Sequence, residues 1–180
     1  MRHTSDDMSI DHLALAILRH EDQIVMVRQH NPYTHQPFWV LPGGLVEPGE
    51  LVGDALIREV KEEAGVQVTA IGRLVGLSQV VRPARAAQTI AFFFEIGHWE
   101  GMLECQDPDG EVSGVELVTQ ADAISRLEQD GGWAGIGEPL LAYLRGEICA
   151  GAMWFYREGA DGQRLVGSVP PAHKSRTGPP

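Results

Sequence analysis

The chain has few cysteines, little basic charge and no long apolar run, and each shortage sets aside a class of protein. Its two cysteines, Cys105 and Cys149, lie far apart and outside any CxxC pattern. The sequence therefore predicts two reduced thiols, not a disulfide framework or a thiolate metal site. Lysine and arginine total 14 against 25 acidic residues, giving a formal charge of -11. Without a basic field, binding to nucleic acid or to an anionic membrane is not expected. No apolar run reaches the roughly 18 residues of a membrane span. MRHTSDDMSI has no apolar core after its basic start, so no signal peptide is read there, and the expected location is the cytoplasm. The seven histidines show no metal-ligand spacing.

What is present suits one globular domain. At 180 residues, 43% apolar and 22% charged, the chain can bury a substantial core. Runs 13–20 and 23–30 read as strands joined in a hairpin at Glu21-Asp22. The short apolar run Phe38-Trp39-Val40-Leu41 stops at Pro42-Gly43-Gly44. A helical pattern covers 51–64, with Gly65 placed as its C-terminal cap. Strands follow at 66–81 (with breaks) and 88–97, then an acidic loop over 103–114 and a short strand at 115–119. Helices are predicted near 120–128 and 137–146. A last hairpin spans 150–167, where Met153, Trp154 and Phe155 either pack on their own domain or form a homodimer surface. The domain is expected over 1–168, with 169–180 disordered. Mixed strands and helices in irregular order indicate an α/β or α+β sandwich.

The helix 51–64 departs from simple amphipathicity. Leu51, Val52, Ala55, Leu56, Val60 and Ala64 sweep one apolar stripe, with Asp54, Arg58 and Lys61 opposite. Glu59, Glu62 and Glu63 fall on the apolar side, so the stripe turns acidic in its last two turns. Like charges at these spacings repel and disfavour the helix. Turned toward a surface or cleft, they also lose solvation unless something neutralises them. A hard divalent cation supplies that neutralisation, since magnesium is held by a few carboxylates, water and phosphate oxygens. Gly43 and Gly44 just upstream let backbone approach an ion or ligand closely.

These residues also carry a family resemblance. Gly44, five residues, Glu50, seven residues, Arg58-Glu59-Val60, one residue, Glu62-Glu63, one residue, Gly65-Val66 is similar throughout to the signature of the Nudix hydrolases, and Trp39-Val40-Leu41-Pro42-Gly43 resembles its usual approach. The resemblance implies a single-domain αβα sandwich with a mixed sheet. It also implies hydrolysis of a nucleoside diphosphate linked to another group, with Mg²⁺ or Mn²⁺ on Glu59, Glu62 and Glu63 and help from a carbonyl at Gly43 or Gly44. Arg58 is expected to orient Glu50 or the loop. Glu50, favoured at a helix N-terminus, is read as structural support or as part of the metal site.

The general base is expected to be Glu59 or Glu111, with Asp107, Asp109 and Glu116 as weaker candidates. Arg28, Trp39 or Phe38, and the pair Arg82 and Arg85 are candidate contacts for a small-molecule nucleotide diphosphate, the arginines as an anion clamp. Pro83 lies slightly beyond the proline of the family's ADP-ribose branch, and no tyrosine marks the dinucleoside-polyphosphate branch. The substrate stays open among nucleotide sugars, ADP-ribose-like compounds and modified triphosphates. The alternative function is a non-catalytic nucleotide sensor or interaction module on the same fold.

Overall fold

A computed structural model of the chain describes residues 8–30, 36–106, 110–130 and 134–169. Asp107, Asp109 and the predicted tail from 170 lie outside them. The mixed α/β architecture expected from the sequence is found. Strand β1 (Ser9–Ile17), next to one edge of a six-stranded sheet, runs parallel to β7 (Ala87–Glu100) and antiparallel to the short edge strand β5 (Gly43–Leu45). Beyond β7 come β6 (Gln67–Arg82), then β9 (Ala152–Gly159) and β10 (Gly162–Val169) at the far edge. A smaller sheet is built on β3 (Gln23–His30). β8 (Val112–Thr119) pairs along one side of it, and β2 (Arg19–His20) and β4 (Pro37–Val40) pair with its two ends.

Alternation along β1 divides the core in two. Leu15 and Ile17 face a cluster with Ile24, Met26 and Phe93, closed by helices α2 (Gln120–Asp130) and α3 (Ala134–Leu144). Ala14 and Ala16 face the other way, against Ala55, Leu56, Val60 and Ala64 of helix α1 (Val52–Ala64). Small residues on that face let α1 sit close to the sheet. Helices therefore cover both faces, the αβα arrangement the resemblance implied. Among the described residues no helix is long and apolar enough to cross a membrane, and neither cysteine is in a disulfide.

Several boundaries differ from the sequence reading, each for a tertiary reason. Run 13–20 is not one strand. It divides at Leu18, β1 joining the large sheet while only Arg19 and His20 turn back on Ile24 and Gln23. The 66–81 breaks are register shifts within one continuous strand. The strand expected at 115–119 begins at Val112 because β3 pairs with it from Gln29 onward. Leu51, placed in the buried stripe, is the N-cap residue and 70% exposed. Gly65 caps α1 as expected, in the left-handed region at φ 76° with its N–H on the Lys61 carbonyl. Helix α3 starts earlier than expected and contains Pro139. Lacking an N–H, Pro139 cannot serve the Gly135 carbonyl four residues back, and the buried Ser78 hydroxyl donates to that carbonyl instead.

Candidate active site

The turn before β5 presses the backbone against both sheet and helix. Gly43 has φ +142°, and a Cβ there would lie 2.1 Å from the Ala14 carbonyl oxygen. At Gly44 a Cβ would fall 2.5 Å from the Glu59 carboxyl group. Gly43 meets fixed backbone at a positive φ, where only glycine fits, and a side chain at Gly44 would displace the Glu59 carboxylate, so the double glycine is what lets the helix carboxylates meet the main chain of the turn.

The three glutamates of α1 differ in setting. Glu63 is buried, 5% exposed, and accepts the Gly43 N–H at 2.8 Å and the Gln29 side-chain amide at 2.6 Å. Glu59 is less buried, and burial raises its pKa against the pull of the Arg58 hydrogen bond, with the Glu62 and Glu50 charges adding to the rise. Glu62 is the most open of the three. Inward placement is thus graded along the stripe.

Arg58 ties the cluster together. It grips Glu50 with Nε and Nη2 at 3.0 and 2.9 Å, reaches Glu59 at 2.8 Å and Glu62 at 3.3 Å, and donates to the Leu45 carbonyl. Its wheel position opposite the stripe is misleading, because the wheel follows Cβ and the long side chain curls back around the helix. The Arg58 hydrogen bond, then the Glu47 N–H, lower the Glu50 carboxyl to about 2 against a modest opposing effect of burial. The helix end is fixed from behind, where the Glu104 and Gln106 N–H groups donate to the Ala64 and Glu62 carbonyls at 3.0 and 3.1 Å.

Among the described residues no three carboxylate, imidazole or thiol groups converge closely enough to form a ready metal cage. The donor set nevertheless suits a hard divalent ion, being carboxylate oxygens beside a side-chain-free turn. Arg58 already supplies part of the positive charge the cluster needs.

The other candidates are scattered. Glu111 is exposed at the start of β8, and its carbonyl accepts the His30 N–H at 3.3 Å. Its neighbour Val112 pairs with Gln29, which bonds Glu63. Glu116 is held by Arg126 at 2.6 Å. Arg28 is exposed and, by strand alternation, points away from the face Gln29 presents to α1. Trp39 packs on the first core with the Arg126 guanidinium 4.1 Å over its ring. Phe38 is partly buried on β4. Gln29 was missed by the sequence reading; its only signal was its parity with Val25 and Val27, which face α1.

Arg82 and Arg85 do come together. They share Glu158 at 3.4 and 3.7 Å, and Arg82 also donates to Thr89 at 2.6 Å. They line a cleft of about 410 Å³ on the face of the large sheet, which extends to Leu13 and Leu45.

With this geometry in hand, comparison with known proteins decides the family. The model for the NUDIX domain matches residues 11–139. This chain belongs to the Nudix family. It is 33% identical over 104 residues to a putative 8-oxo-dGTP diphosphatase of Bacillus subtilis, covering 57% of this chain and 62% of that protein. It is 37% identical over 102 residues to an ADP-ribose pyrophosphatase of Methanocaldococcus jannaschii, covering 56% and 59%. The match thus spans about three fifths of each relative. A MutT protein from Bacillus halodurans shares the Nudix fold with a TM-score of 0.65 at 21% identity, over 88% of this chain and 95% of that one. The family match ends before the β9–β10 hairpin begins.

Proposed function

We propose that the chain hydrolyses the diphosphate linkage of a small-molecule nucleoside diphosphate derivative with Mg²⁺ or Mn²⁺ bound, acting in the cytoplasm. The observation that carries this is the complete signature from Gly44 to Val66 (the box) folded as a unit, with Glu59 and Glu63 beside the bare turn at Gly43-Gly44 and Glu62 joined to Glu59 through Arg58. Glu59, Glu62 and Glu63, with the Gly44 carbonyl, would hold the ion. When bound it neutralises the diphosphate and activates water for attack at phosphorus. The chain's own groups do the rest. Arg58 and Glu50 fix the turn and the Glu59 carboxylate, and the Gly43 N–H and Gln29 hold Glu63 in place. Glu59, raised in pKa by burial, or Glu111 takes the proton of the attacking water.

The test is turnover of ADP-ribose, nucleotide sugars, dinucleoside polyphosphates and nucleoside triphosphates with Mg²⁺ or Mn²⁺. Hydrolysis abolished by Glu63→Gln supports the proposal. No turnover by the wild type on the whole panel would overturn it in favour of a sensor. Glu111→Gln separates the two bases: lost turnover with metal affinity intact assigns the proton to Glu111, and an unchanged rate assigns it to Glu59.

A further inference from the structure

The cleft on the sheet face is closed at its far end by a segment outside the family match. Strand β9 adds to β6 in parallel, Val81 opposite Arg157, and brings Glu158 beside Arg82 and Arg85. The near end meets the box: Leu13 and Leu45 are cross-strand partners on the cleft side, while Gly44, one residue before Leu45, backs onto Glu59 on the helix side. Box and cleft thus lie on opposite faces of an edge strand, one residue apart. A ligand bent around β5 can reach both. From β5 to β6 is three strand spacings, roughly 14 Å, which is room for the end group of a nucleoside diphosphate derivative.

The chemistry of the cleft narrows that end group. Two guanidinium groups are matched by Glu158 and Asp11, so the described lining carries no net charge. Arg82, with a side chain only 13% exposed, is committed to Glu158 and Thr89. A second phosphate would meet Glu158 between the two arginines and be repelled. No aromatic ring is among the described lining residues, and a nucleobase is commonly held by stacking on one. What remains is apolar floor at Leu13 and Leu45, followed by carboxylate acceptors and guanidinium donors. Hydroxyl groups both donate and accept, so such a lining suits a ring rich in hydroxyls.

We propose that the β9–β10 hairpin, through Glu158 with Arg82 and Arg85, completes a subsite for an uncharged sugar at the end of the substrate. The chain thereby selects diphosphates that carry a sugar over nucleoside triphosphates. This deepens the hydrolase reading above and rests on it for turnover, though not for binding.

Wild type, Glu158→Gln and Arg85→Ala are assayed as full chains on ADP-ribose, on UDP-glucose and on a nucleoside triphosphate. Metal-free calorimetric titration with ADP-ribose in chelator gives a readout independent of catalysis. Both variants are expected to raise KM for the sugar compounds about tenfold more than for the triphosphate, with kcat within about threefold, and to weaken metal-free ADP-ribose binding about tenfold. Should Glu158→Gln melt at the assay temperature, Arg85→Ala at its half-exposed position decides. Equal effects on both substrate classes, or no effect in a folded variant, would overturn the subsite. A wild type that cleaves triphosphates but neither binds nor cleaves the sugar compounds would overturn it while keeping the hydrolase. Failure on every substrate, with Glu158-dependent binding of ADP-ribose, would do the reverse.

Discussion

The two ends of the six-stranded sheet are built on different plans. At the β5 end, twenty-three consecutive residues supply turn, helix, carboxylates and the arginine that joins them. At the β9–β10 end, Arg82, Thr89 and Glu158 arrive from three strands and meet only because β9 pairs with β6. The first end is local and dense in charge; the second is assembled over distance and rests on Trp154 and Tyr156 buried against α3. The contrast separates an end that lies within the family match from one that is completed by strands beyond it. It also predicts that chemistry and stability can be damaged independently.

The largest effect is expected at the local end. Glu63→Gln places an amide against two donors and removes a proposed metal ligand, and kcat should fall on the order of 10³-fold, about 4 kcal/mol of barrier. Single-turnover rates check this, and a variant with normal turnover would break the assignment of this end to chemistry. At the far end, Trp154→Ala should cost about 3 kcal/mol of unfolding free energy in denaturant melts while kcat well below the melt stays within about twofold. A proportionate loss of kcat would show that the two ends are not separable.

Gly44→Ala is a subtler probe. The added methyl meets the Glu59 carboxyl, the free end of a side chain that can swing aside. Stability should change by less than about 1 kcal/mol while kcat drops about 10- to 100-fold, because what moves is the carboxylate. A large melting shift with full activity would mean the turn is structural only.

The smallest effect is a pH dependence. Arg58 and the Glu47 N–H lower Glu50 from its ordinary 4.5 to about 2. A lowered carboxylate stabilises the fold above its unfolded pKa, and that stabilisation is lost as pH falls through the folded value. The stability gap between wild type and Glu50→Gln should therefore be full above pH 4.5 and close between there and about pH 2. Acid melts of both proteins measure it, and a gap that does not vary with pH would remove the ion pair from the account.

Legibility in the sequence follows the same division. Helix α1, its glycine cap and the register of Gly44, Glu50, Arg58 and Glu59 are contiguous, so periodicity and spacing reveal them. The split of the first run at Leu18 could not be read, because Arg19-His20 continues the run straight into the hairpin and only the partner strands, β7 before the split and β3 after it, separate the two parts. Gln29 passed unnoticed for a related reason: its role depends on which face β3 turns to α1. Glu158 carried no signal at all, since a glutamate near a hairpin turn is ordinarily a solvated one. The partnership of Pro139 with Ser78 likewise exists only once α3 has docked on β6.

The backbone of α1 itself would bear on affinity for the proposed ion. Glu59, Glu62 and Glu63 occupy its last two turns, the negative end of the helix dipole, where carboxylates are least favoured. Lys61 donates to the Gly65 carbonyl and offsets only part of that field. The N–H groups of Glu104 and Gln106, bonded to the terminal carbonyls, soften it further. The 104–106 segment would thus act as a rear control on the proposed ligands: loosening it would deepen the negative potential and tighten cation binding without altering any of them. Residues that never touch the ion would then set how firmly it is held.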